Sequence, residues 1–322
     1  MTCVTSYTNP DADGICSAIA YTFLMPNVIP LYSGVMDSET AFILQYFNVA
    51  APIQATNFEK WDKIVLVDTH NINEISKFID VEKVAIIIDH HLTGGTRQIF
   101  SNVTDKNFQN EAVGAACTLI AEKMKDENLI LSPSIAGIMA LAIISNTLNF
   151  NAQSTSQRDI SIYEWLKQFV KIDDSLILEM FTAKSNFKYK KTYNLLSNNL
   201  KIFDFGNIMV GMIQIEMIEP KHITQRKSFK RILADIKEEK ALDYLYFSGV
   251  NINVLEKFTT LIYCLDSESQ AIMSHIFGNK SKKNTFLREG ILLRKTHLIP
   301  LLVEYFKDNH KSGKQQLSNT LS

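Results

Sequence analysis

The sequence is poor in cysteine, and the few cysteines it has are not paired. Its four cysteines (Cys3, Cys16, Cys117 and Cys264) are far apart, and none forms a Cys-x-x-Cys pair. This spacing argues against a disulfide framework or a cysteine-ligated zinc site and is typical of reduced core thiols in a cytosolic protein. The formal net charge is only -1 at pH 7. No overall positive field is therefore present to hold nucleic acid, and any anion site must come from a local cluster.

Long hydrophobic runs and an export signal are also missing. The longest apolar runs, such as residues 135–144, are shorter than a membrane span, and no basic segment followed by an apolar stretch stands at the N-terminus. With 46% hydrophobic and 21% charged residues among 322, the composition is that of a globular protein and too apolar for a disordered chain. We expect a cytoplasmic protein that binds neither membranes nor nucleic acids.

The first half of the chain alternates strand-like and helix-like segments. Residues 64–67 (IVLV) and 84–88 (VAIII) are apolar at every position, as in strands of a parallel sheet covered on both faces. Helix-spaced apolar residues occur at 15–24, 73–80 and 113–124. This rhythm predicts an α/β domain with a doubly wound, mainly parallel sheet.

The pattern changes after about residue 186, because residues 184–191 (KSNFKYKK) are polar and basic. The remainder predicts a smaller, mixed-sheet α/β domain, with strands at 209–215, 244–251 and 258–265 and helices at 224–239 and 267–277. We therefore predict a first domain over residues 1–187, a second domain over 192–310 and a frayed polar tail over 311–322.

Carboxylates and histidines follow both apolar strands of the first half. Asp68 comes directly after the first strand, and Asp89, His90 and His91 come directly after the second. Ligands of open α/β sheets bind beyond the carboxyl ends of the strands, so these positions are candidates for chemistry. A single Asp at a strand end is commonly a turn cap. An Asp-His-His run can supply a metal ligand, its hydrogen-bonding partner and a group that faces a substrate.

A third group lies near the N-terminus, in residues 9–14 (NPDADG). Asp11 and Asp13 are two positions apart in a turn before an apolar helix, and hard divalent cations favour such oxygen ligands. Either carboxylate could instead cap the helix, with Pro10 and Gly14 shaping the turn. The three groups would converge at one sheet edge, where two divalent metals bridged by an Asp would account for all of them.

These motifs resemble, in order, those of the family II inorganic pyrophosphatases of the DHH/DHHA2 phosphoesterase superfamily. Residues 9–21 (NPDADGICSAIAY) are similar to the family's opening motif NPDTDSICSAIAY. Val67-Asp68 and Asp89-His90-His91 resemble its second and third motifs. Further matches, also in order, lie at residues 111–118, 144–159, 201–203, 211–216 and 294–295. The resemblance runs over nearly the whole chain and implies the same two-domain α/β fold.

The resemblance implies roles for matching residues in the first domain, the metal-binding and catalytic one. Two Mn²⁺ or Co²⁺ ions, or Mg²⁺ in their place, would be held by Asp11, Asp13, Asp68, His90 and Asn146. Asp68 would bridge the ions, Asp89 would orient the histidine pair and His91 would contact the phosphate. The implied catalytic set is Asp11, Asp13, Asp68, Asp89 and His91.

In the second domain the resemblance implies a clamp for the far phosphoryl group. Lys201, Arg294 and Lys295 would bind that group together with His91. Arg offers a planar fork to phosphate oxygens and Lys a compact charge, which suits this role. For each cation the alternative is an exposed solubilising residue.

Several positions depart from the family's pattern. Tyr7 stands where the family has a histidine ligand, and Asn146 stands where it has an aspartate ligand. The second motif reads Asp68-Thr69-His70 instead of Asp-His-Asn. A neutral Tyr is a poor ligand and Asn brings no charge, so we expect weaker metal binding than the family usually shows. His70 could lean into the site in place of the missing histidine, or face solvent as an ordinary loop residue.

The favoured function is hydrolysis of inorganic pyrophosphate to two phosphates by a metal-activated water. An exopolyphosphatase or short-nucleotide phosphodiesterase on the same scaffold is an alternative, because Gly14 replaces the family's usual Ser. Tyr7 and Asn146 keep open a third hypothesis, a degenerate protein that binds phosphate compounds without turnover. The resemblance also implies a homodimer formed through an edge strand of the first domain.

Overall fold

The computed structural model describes residues 1–92, 97–187, 191–278 and 284–307. The chain divides into two compact units, Met1–Lys184 and Ser185–Ser322. The domain limits at residues 187 and 192 stay predictions, and the predicted tail at 311–322 lies outside the described residues. Within the described part of the chain, every helix is too short or too polar to span a membrane.

Unit 1 is built on a six-stranded parallel sheet in the order β3-β2-β1-β4-β5-β6. The strands are β1 (Thr2–Thr5), β2 (Val28–Tyr32), β3 (Ile53–Gln54), β4 (Lys63–Val67), β5 (Val84–Asp89) and β6 (Phe108–Asn110). The two apolar runs identified in the sequence form the neighbouring strands β4 and β5, which are buried as expected for a sheet covered on both faces. The predicted parallel α/β class is confirmed.

Six helices belong to unit 1, and two of them pack directly on the sheet. They are α1 (Ala12–Leu24), α2 (Ser38–Tyr46), α3 (Ala116–Asp126), α4 (Pro133–Asn146), α5 (Gln157–Leu166) and α6 (Asp174–Lys184). The helices α1 and α3 contact the strands, and α4 packs against both of them. This position explains why α4 is apolar on all sides, since every residue from 135 to 145 is buried.

The opposite face of the sheet is covered by turns. Its apolar cover comes from Phe58, Trp61, Ile75, Ile79, Phe100 and Val103. The prediction of a helix at residues 73–80 is wrong, because these residues form turns. Side chains compete for the backbone there: Asn71 Oδ1 accepts the N–H of Asn73, and Ser76 Oγ accepts that of Phe78. The four-residue spacing of Ile75 and Ile79 suggested a helix, but the turns bury both side chains equally well.

Unit 2 contains a five-stranded mixed sheet in the order β11-β10-β9-β8-β7. Only the pair β8–β9 is parallel; the other described pairs are antiparallel. The strands are β7 (Leu200–Asp204), β8 (Met209–Met217), β9 (Tyr244–Asn251), β10 (Thr259–Cys264) and β11 (Thr285–Glu289). The helices are α7 (Thr192–Asn198), α8 (Lys221–Thr224), α9 (Phe229–Glu239) and α10 (Ser267–Phe277), and a π-helix spans Arg294–Leu298. The predicted mixed sheet is confirmed.

One predicted helix of unit 2 is interrupted. The sequence predicts a continuous helix at 224–239, whereas α8 ends at Thr224 and α9 begins at Phe229. Ile223 and Phe229 are both fully buried, but a spacing of six residues places them on different sides of one helix. The turn between α8 and α9 lets both side chains reach the same core.

Candidate active site

The candidate site lies at the carboxyl ends of β1, β4 and β5, which are neighbours in the sheet. The chain leaves β1 through α1 toward β2 on one side, and it resumes at β4 on the other side. Such a reversal of strand order opens a crevice in which α/β proteins bind ligands. The loops at these three strand ends carry the acidic and histidine motifs identified in the sequence.

The loop after β1 is held in place by Asn9. Its backbone is in the left-handed region, with φ 59°, and its Oδ1 accepts the N–H of Val35 at 2.8 Å. Gly34 is required beside it, because φ is 84° and a Cβ would lie 2.2 Å from Asn9 Oδ1. This contact fixes the direction in which the chain enters the turn that carries Asp11 and Asp13.

Asp11 caps α1. Its Oδ1 accepts the N–H groups of Asp13 at 2.9 Å and Gly14 at 3.2 Å. The hydroxyl of Tyr7 in turn accepts the N–H of Asp11 at 3.1 Å. Burial raises the pKa of Tyr7, and the Asp11 and Asp68 carboxylates raise it further, so the phenol stays neutral. The structure therefore gives Asp11 the capping role that the sequence allowed, and metal binding by Asp11 stays a prediction.

Asp13 is buried, with 1% of its surface exposed, and lies at the N-terminus of α3. Its oxygens accept the N–H groups of Ala116 at 2.7 Å and Cys117 at 2.9 Å. A helix N-terminus favours negative charge, which offsets part of the cost of burial. Burial nevertheless raises the pKa of Asp13, and Asp11 adds to the rise, whereas His90 lowers it.

Asp68 adopts a left-handed backbone, with φ 61°, directly after β4. Residues other than glycine rarely adopt this left-handed conformation, and those that do are often found at functional sites. The side chain is 2% exposed, and its Oδ1 lies 3.1 Å from Nε2 of His90 and 3.8 Å from Nδ1 of His91. Burial raises the pKa of Asp68 well above its usual range, and the Asp13 and Asp11 carboxylates raise it further.

Asp89 has the opposite electrostatic environment. The carboxylate is fully buried, and its Oδ1 accepts the backbone N–H groups of His90 at 2.7 Å and His91 at 3.1 Å. Although burial acts to raise the pKa of Asp89, hydrogen bonds from His70 and His91 lower it well below its usual range. The interpretation of Asp89 as a residue that orients the histidine pair agrees with these contacts.

His90 and His91 point in different directions from Asp89. Nδ1 of His90 donates to the carbonyl of Val113 at 3.0 Å, so in the neutral ring Nε2 offers its lone pair to the site. That Nε2 lies 3.1 Å from Asp68 and 3.6 Å from Asp13. His91 is 52% exposed and donates from Nδ1 to Asp89 at 2.9 Å. His90 thus faces the buried carboxylates, whereas His91 is accessible to a substrate.

Asn146 lies at the end of α4, beside Asp13. Its Nδ2 donates to Asp13 Oδ2 at 3.1 Å and to the carbonyl of Gly114 at 2.9 Å, and it lies 3.4 Å from His90 Nε2. Gly114 is required for this approach, because a Cβ there would meet Thr147 at 2.5 Å. In this arrangement Asn146 is a hydrogen-bond donor to the buried carboxylate. A carbonyl ligand would require the amide to rotate.

The role of His70 could not be read from its motif. Of the two alternatives, solvent exposure is wrong, since His70 is only 7% exposed. Its Nδ1 donates a short hydrogen bond to Oδ2 of Asp89, so it contacts the orienting carboxylate. The available signal was its position three residues beyond the end of β4, the strand next to that of Asp89.

The residues present fit a divalent cation. Asp68, Asp89, His90 and His91 each offer an atom within 4.8 Å of the others, and Asp13 adjoins His90. The Asp68 oxygen and the lone pair of His90 are two acceptors at 3.1 Å, a spacing that suits two ligands of one cation. Burial, and then repulsion from neighbouring carboxylates, raises the pKa values of Asp13 and Asp68, and such a cation would offset both effects.

The predicted phosphate-binding cations lie in unit 2. Lys201 on β7 and Lys295 in the π-helix are exposed. Arg294 is partly buried, and its Nη1 donates to the carbonyls of Asn199 at 2.8 Å and Met212 at 3.0 Å. Burial lowers the pKa of Arg294. One guanidinium nitrogen of Arg294, Nη1, is thus hydrogen-bonded to the backbone of unit 2.

The chain matches two family models in succession. Residues 1–143 match the DHH family, N-terminal domain, and residues 178–305 match the DHHA2 domain. Over 316 residues it is 29% identical to a manganese-dependent inorganic pyrophosphatase of Methanothrix thermoacetophila, covering 94% of this chain and 98% of the relative. A crystal structure of a Methanococcus jannaschii protein assigned to the family II inorganic pyrophosphatases has a TM-score of 0.69 at 26% identity. That likeness covers 95% of this chain and 100% of the other.

The two domain matches follow the same order as the sequence motifs and together span most of the chain. The similarity to relatives is likewise continuous from end to end. The resemblance found in the motifs is thereby confirmed, and the chain belongs to the DHH/DHHA2 phosphoesterase superfamily, in which its relatives include family II, manganese-dependent inorganic pyrophosphatases.

Proposed function

We propose that this chain hydrolyses inorganic pyrophosphate to two phosphates. The observation that carries the proposal is the convergence of Asp13, Asp68 and His90, from three separate segments of the chain, beside the accessible His91. Relatives that match the chain along its length are named manganese-dependent inorganic pyrophosphatases, which supports the same activity here. In the reaction a water oxygen bonds to one phosphorus while the bond from that phosphorus to the bridging oxygen breaks.

Two divalent ions, Mn²⁺ or Co²⁺ with Mg²⁺ as a substitute, would be held mainly by Asp13, Asp68 and His90. Asp11 and Asn146 would complete the set, Asn146 after rotation of its amide. When bound, the ions would lower the pKa of the attacking water and neutralise the charge of the phosphoanhydride. Burial and neighbouring carboxylates raise the pKa values of Asp13 and Asp68, and a bound cation would stabilise the ionised form of both.

Two further residues of unit 1, His91 and Asp89, would bind and orient the substrate. His91 donates from Nδ1 to Asp89, so its Nε2 is directed away from that carboxylate. Although burial acts to lower the pKa of His91, the hydrogen bond to Asp89 and the Asp68 charge raise it, and the protonated ring can donate from Nε2 to a phosphate oxygen. Asp89 holds the backbone of both histidines and thereby fixes where that donor lies. Charge-assisted hydrogen bonds of this kind are about twice as strong as neutral ones.

In unit 2 we propose that Lys201, Arg294 and Lys295 bind the phosphate that leaves. The two lysines are exposed and each presents a compact charge. Because Nη1 of Arg294 holds two carbonyls, its phosphate contact is expected through Nη2. Preorganised cations at this position stabilise the negative charge that develops on the leaving group.

Phosphate release by the purified chain tests the proposal. We expect turnover of pyrophosphate with Mn²⁺ or Co²⁺, and lower turnover with Mg²⁺, because Asn146 and Tyr7 leave the site short of strong ligands. The absence of turnover with all three ions would contradict the proposed function. Chelation followed by return of Mn²⁺ serves as the control, since it should abolish and then restore activity.

Two other functions are distinguished by the same preparation. Faster turnover of polyphosphate or short dinucleotides than of pyrophosphate would favour an exopolyphosphatase or phosphodiesterase, the alternative that Gly14 keeps open. Lack of bound metal, measured by mass spectrometry of the native protein, would favour a non-catalytic phosphate-binding protein. The density of buried carboxylates beside His90 argues for metal binding.

Assembly, location and domain limits are also proposals. We propose a homodimer through an edge strand of unit 1, tested by light scattering of the eluted protein. All four cysteines are free and buried, which supports a reducing cytoplasmic location. Limited proteolysis should cut between residues 187 and 192 if the proposed domain limits are right.

A further inference from the structure

The two oxygens of Asp89 hold different partners. Oδ1 accepts the N–H groups of His90 and His91 and lies 2.9 Å from Nδ1 of His91. Oδ2 accepts from Nδ1 of His70. A carboxylate rotates through a broad range about its last side-chain bond. The partner of Oδ2 therefore decides the plane in which Oδ1 is presented to the two histidines.

His70 is held rigidly enough to set that plane. It is 7% exposed, and its ring packs edge-on against Phe108, with ring centroids 5.6 Å apart at 83°. Phe108 begins β6, which pairs with β5, the strand that ends in Asp89. The guanidinium of Arg97 covers the Phe108 ring at 4.5 Å. The carboxylate and its histidine partner are thus both fixed to adjacent strands.

We propose that His70 is a positioning residue for the metal and phosphate site. Acting through Asp89, it fixes the backbone of His90 and His91, and so places Nε2 of His90 beside Asp13 and Asp68. The chemical requirement at this position is one N–H donor at the δ atom of the side chain. This inference rests on the proposed function for its catalytic consequence, but not for its effect on metal binding.

The matched pair His70→Asn and His70→Leu tests that requirement. Asn and Leu have similar shapes, but only Asn carries an N–H donor at the δ position, where Nδ1 of His70 now lies. We expect His70→Leu to weaken Mn²⁺ binding and kcat by about ten- to a hundredfold, as is usual for lost partners of metal-site residues. His70→Asn should restore most of both losses.

Binding of Mn²⁺ is measured by the electron paramagnetic resonance of the free ion, and turnover and KM are measured with pyrophosphate. His70→Phe is the third variant, because it keeps a ring against Phe108 without the donor and should behave as His70→Leu does. His222→Leu is the control. His222 is an exposed histidine 3.0 Å from Glu219, and its loss should change neither quantity.

The outcomes separate this inference from the proposed function. It is overturned if His70→Leu or His70→Phe binds Mn²⁺ as the wild type does, or if His70→Asn is as impaired as His70→Leu. Should His70→Leu fail to fold, the comparison of His70→Asn with His70→Phe still decides the matter. A wild type that binds Mn²⁺ without hydrolysing pyrophosphate, while His70→Leu loses affinity, contradicts the function and supports the inference. A wild type that binds no Mn²⁺ contradicts both.

Discussion

Asp68 and Asp89 end neighbouring parallel strands, and both are buried, yet their pKa values are shifted in opposite directions. Asp89 accepts from backbone N–H groups and from two histidines, and its pKa is lowered. Asp68 faces Asp13 and Asp11, and its pKa is raised. A carboxylate saturated with donors is at its lowest free energy when ionised, whereas one among like charges needs a cation.

This difference indicates different roles for Asp68 and Asp89. Asp89 accepts from four N–H groups, three at Oδ1 and one at Oδ2, so it mainly holds protein groups in position. Asp68 has an imidazole lone pair and a second carboxylate nearby, which is the environment expected of a metal ligand. Replacement of either by its amide should therefore give opposite results in stability without metal.

Asp68→Asn should have the largest effect on activity. Asn tolerates the left-handed backbone at this position, so the fold should be kept. Turnover of pyrophosphate should fall by about a thousandfold or more, because several kcal/mol of metal-derived stabilisation would be lost. Without metal the variant should be at least as stable as the wild type, since repulsion from Asp13 is removed. Thermal unfolding with chelator and with Mn²⁺ checks this, and equal stabilisation by Mn²⁺ in both proteins would contradict it.

Asp89→Asn should have the largest effect on stability. The amide would turn a donor toward N–H groups that now have an acceptor, and it would remove a buried charge from two histidines. We expect the free energy of unfolding to fall by about 3 kcal/mol without metal. Urea-induced unfolding measures the loss. Asp105→Asn is the control, because Asp105 is exposed, and equal stability of the two variants would refute the expectation.

Glu39 offers an intermediate case, a buried carboxylate with one cation. Its Oε2 lies 3.0 Å from Nζ of Lys184, and burial raises its pKa to about 7 despite the lowering effect of Lys184. A raised folded-state pKa means that Glu39 favours folding below about pH 4.5 and loses this contribution as the pH rises through 7. Glu39→Gln should therefore gain stability relative to the wild type between pH 5 and 8, by up to about 3 kcal/mol.

Urea-induced unfolding at several pH values measures the Glu39→Gln difference. Glu164→Gln is the matched control, since Glu164 is exposed and paired with Lys167 at 2.9 Å. Its difference from the wild type should stay near zero across the same range. A Glu39→Gln difference that does not change with pH would show that Glu39 is ionised throughout.

Asn146→Asp should have the smallest effect. It tests the contrast between Asp68 and Asp89 by adding a negative charge to the site instead of removing one. It replaces the amide that donates to Asp13 by a carboxylate, the third one beside His90 after Asp13 and Asp68. Mn²⁺ affinity should rise by about tenfold or more, whereas stability without metal should fall. Tyr7→His should add to the affinity. Titration with Mn²⁺ checks both, Asn128→Asp on the exposed surface is the control, and unchanged affinity would remove Asn146 from the proposed ligand set.

Strand ends and their motifs could be predicted because they depend on local features. Two short apolar runs, each followed by Asp, are enough to place Asp68 and Asp89 at one edge of a parallel sheet. The structure of residues 73–80 could not be predicted in the same way. The apolar spacing there predicted a helix, but the Asn71 and Ser76 side chains accept backbone N–H groups and hold the segment in turns.

The partner of each charge could not be predicted. Ser17, four residues along the chain, donates to Asp13, but its other three donors, Ala116, Cys117 and Asn146, are all more than a hundred residues away. The sequence motif does not show that Asn146 presents its amide nitrogen, or that His70 turns toward Asp89. The first orientation depends on how α3 and α4 pack against α1, and the second on the pairing of β4 with β5.

The sequence by itself determined which acidic and imidazole groups reach this edge of the sheet, because strand length and loop position are local properties. The tertiary structure alone decided which of them are neutralised by donors and which remain crowded by like charge. The physical reason is that the cost of a buried charge depends on the groups within a few ångströms of it, and here those groups come from distant segments.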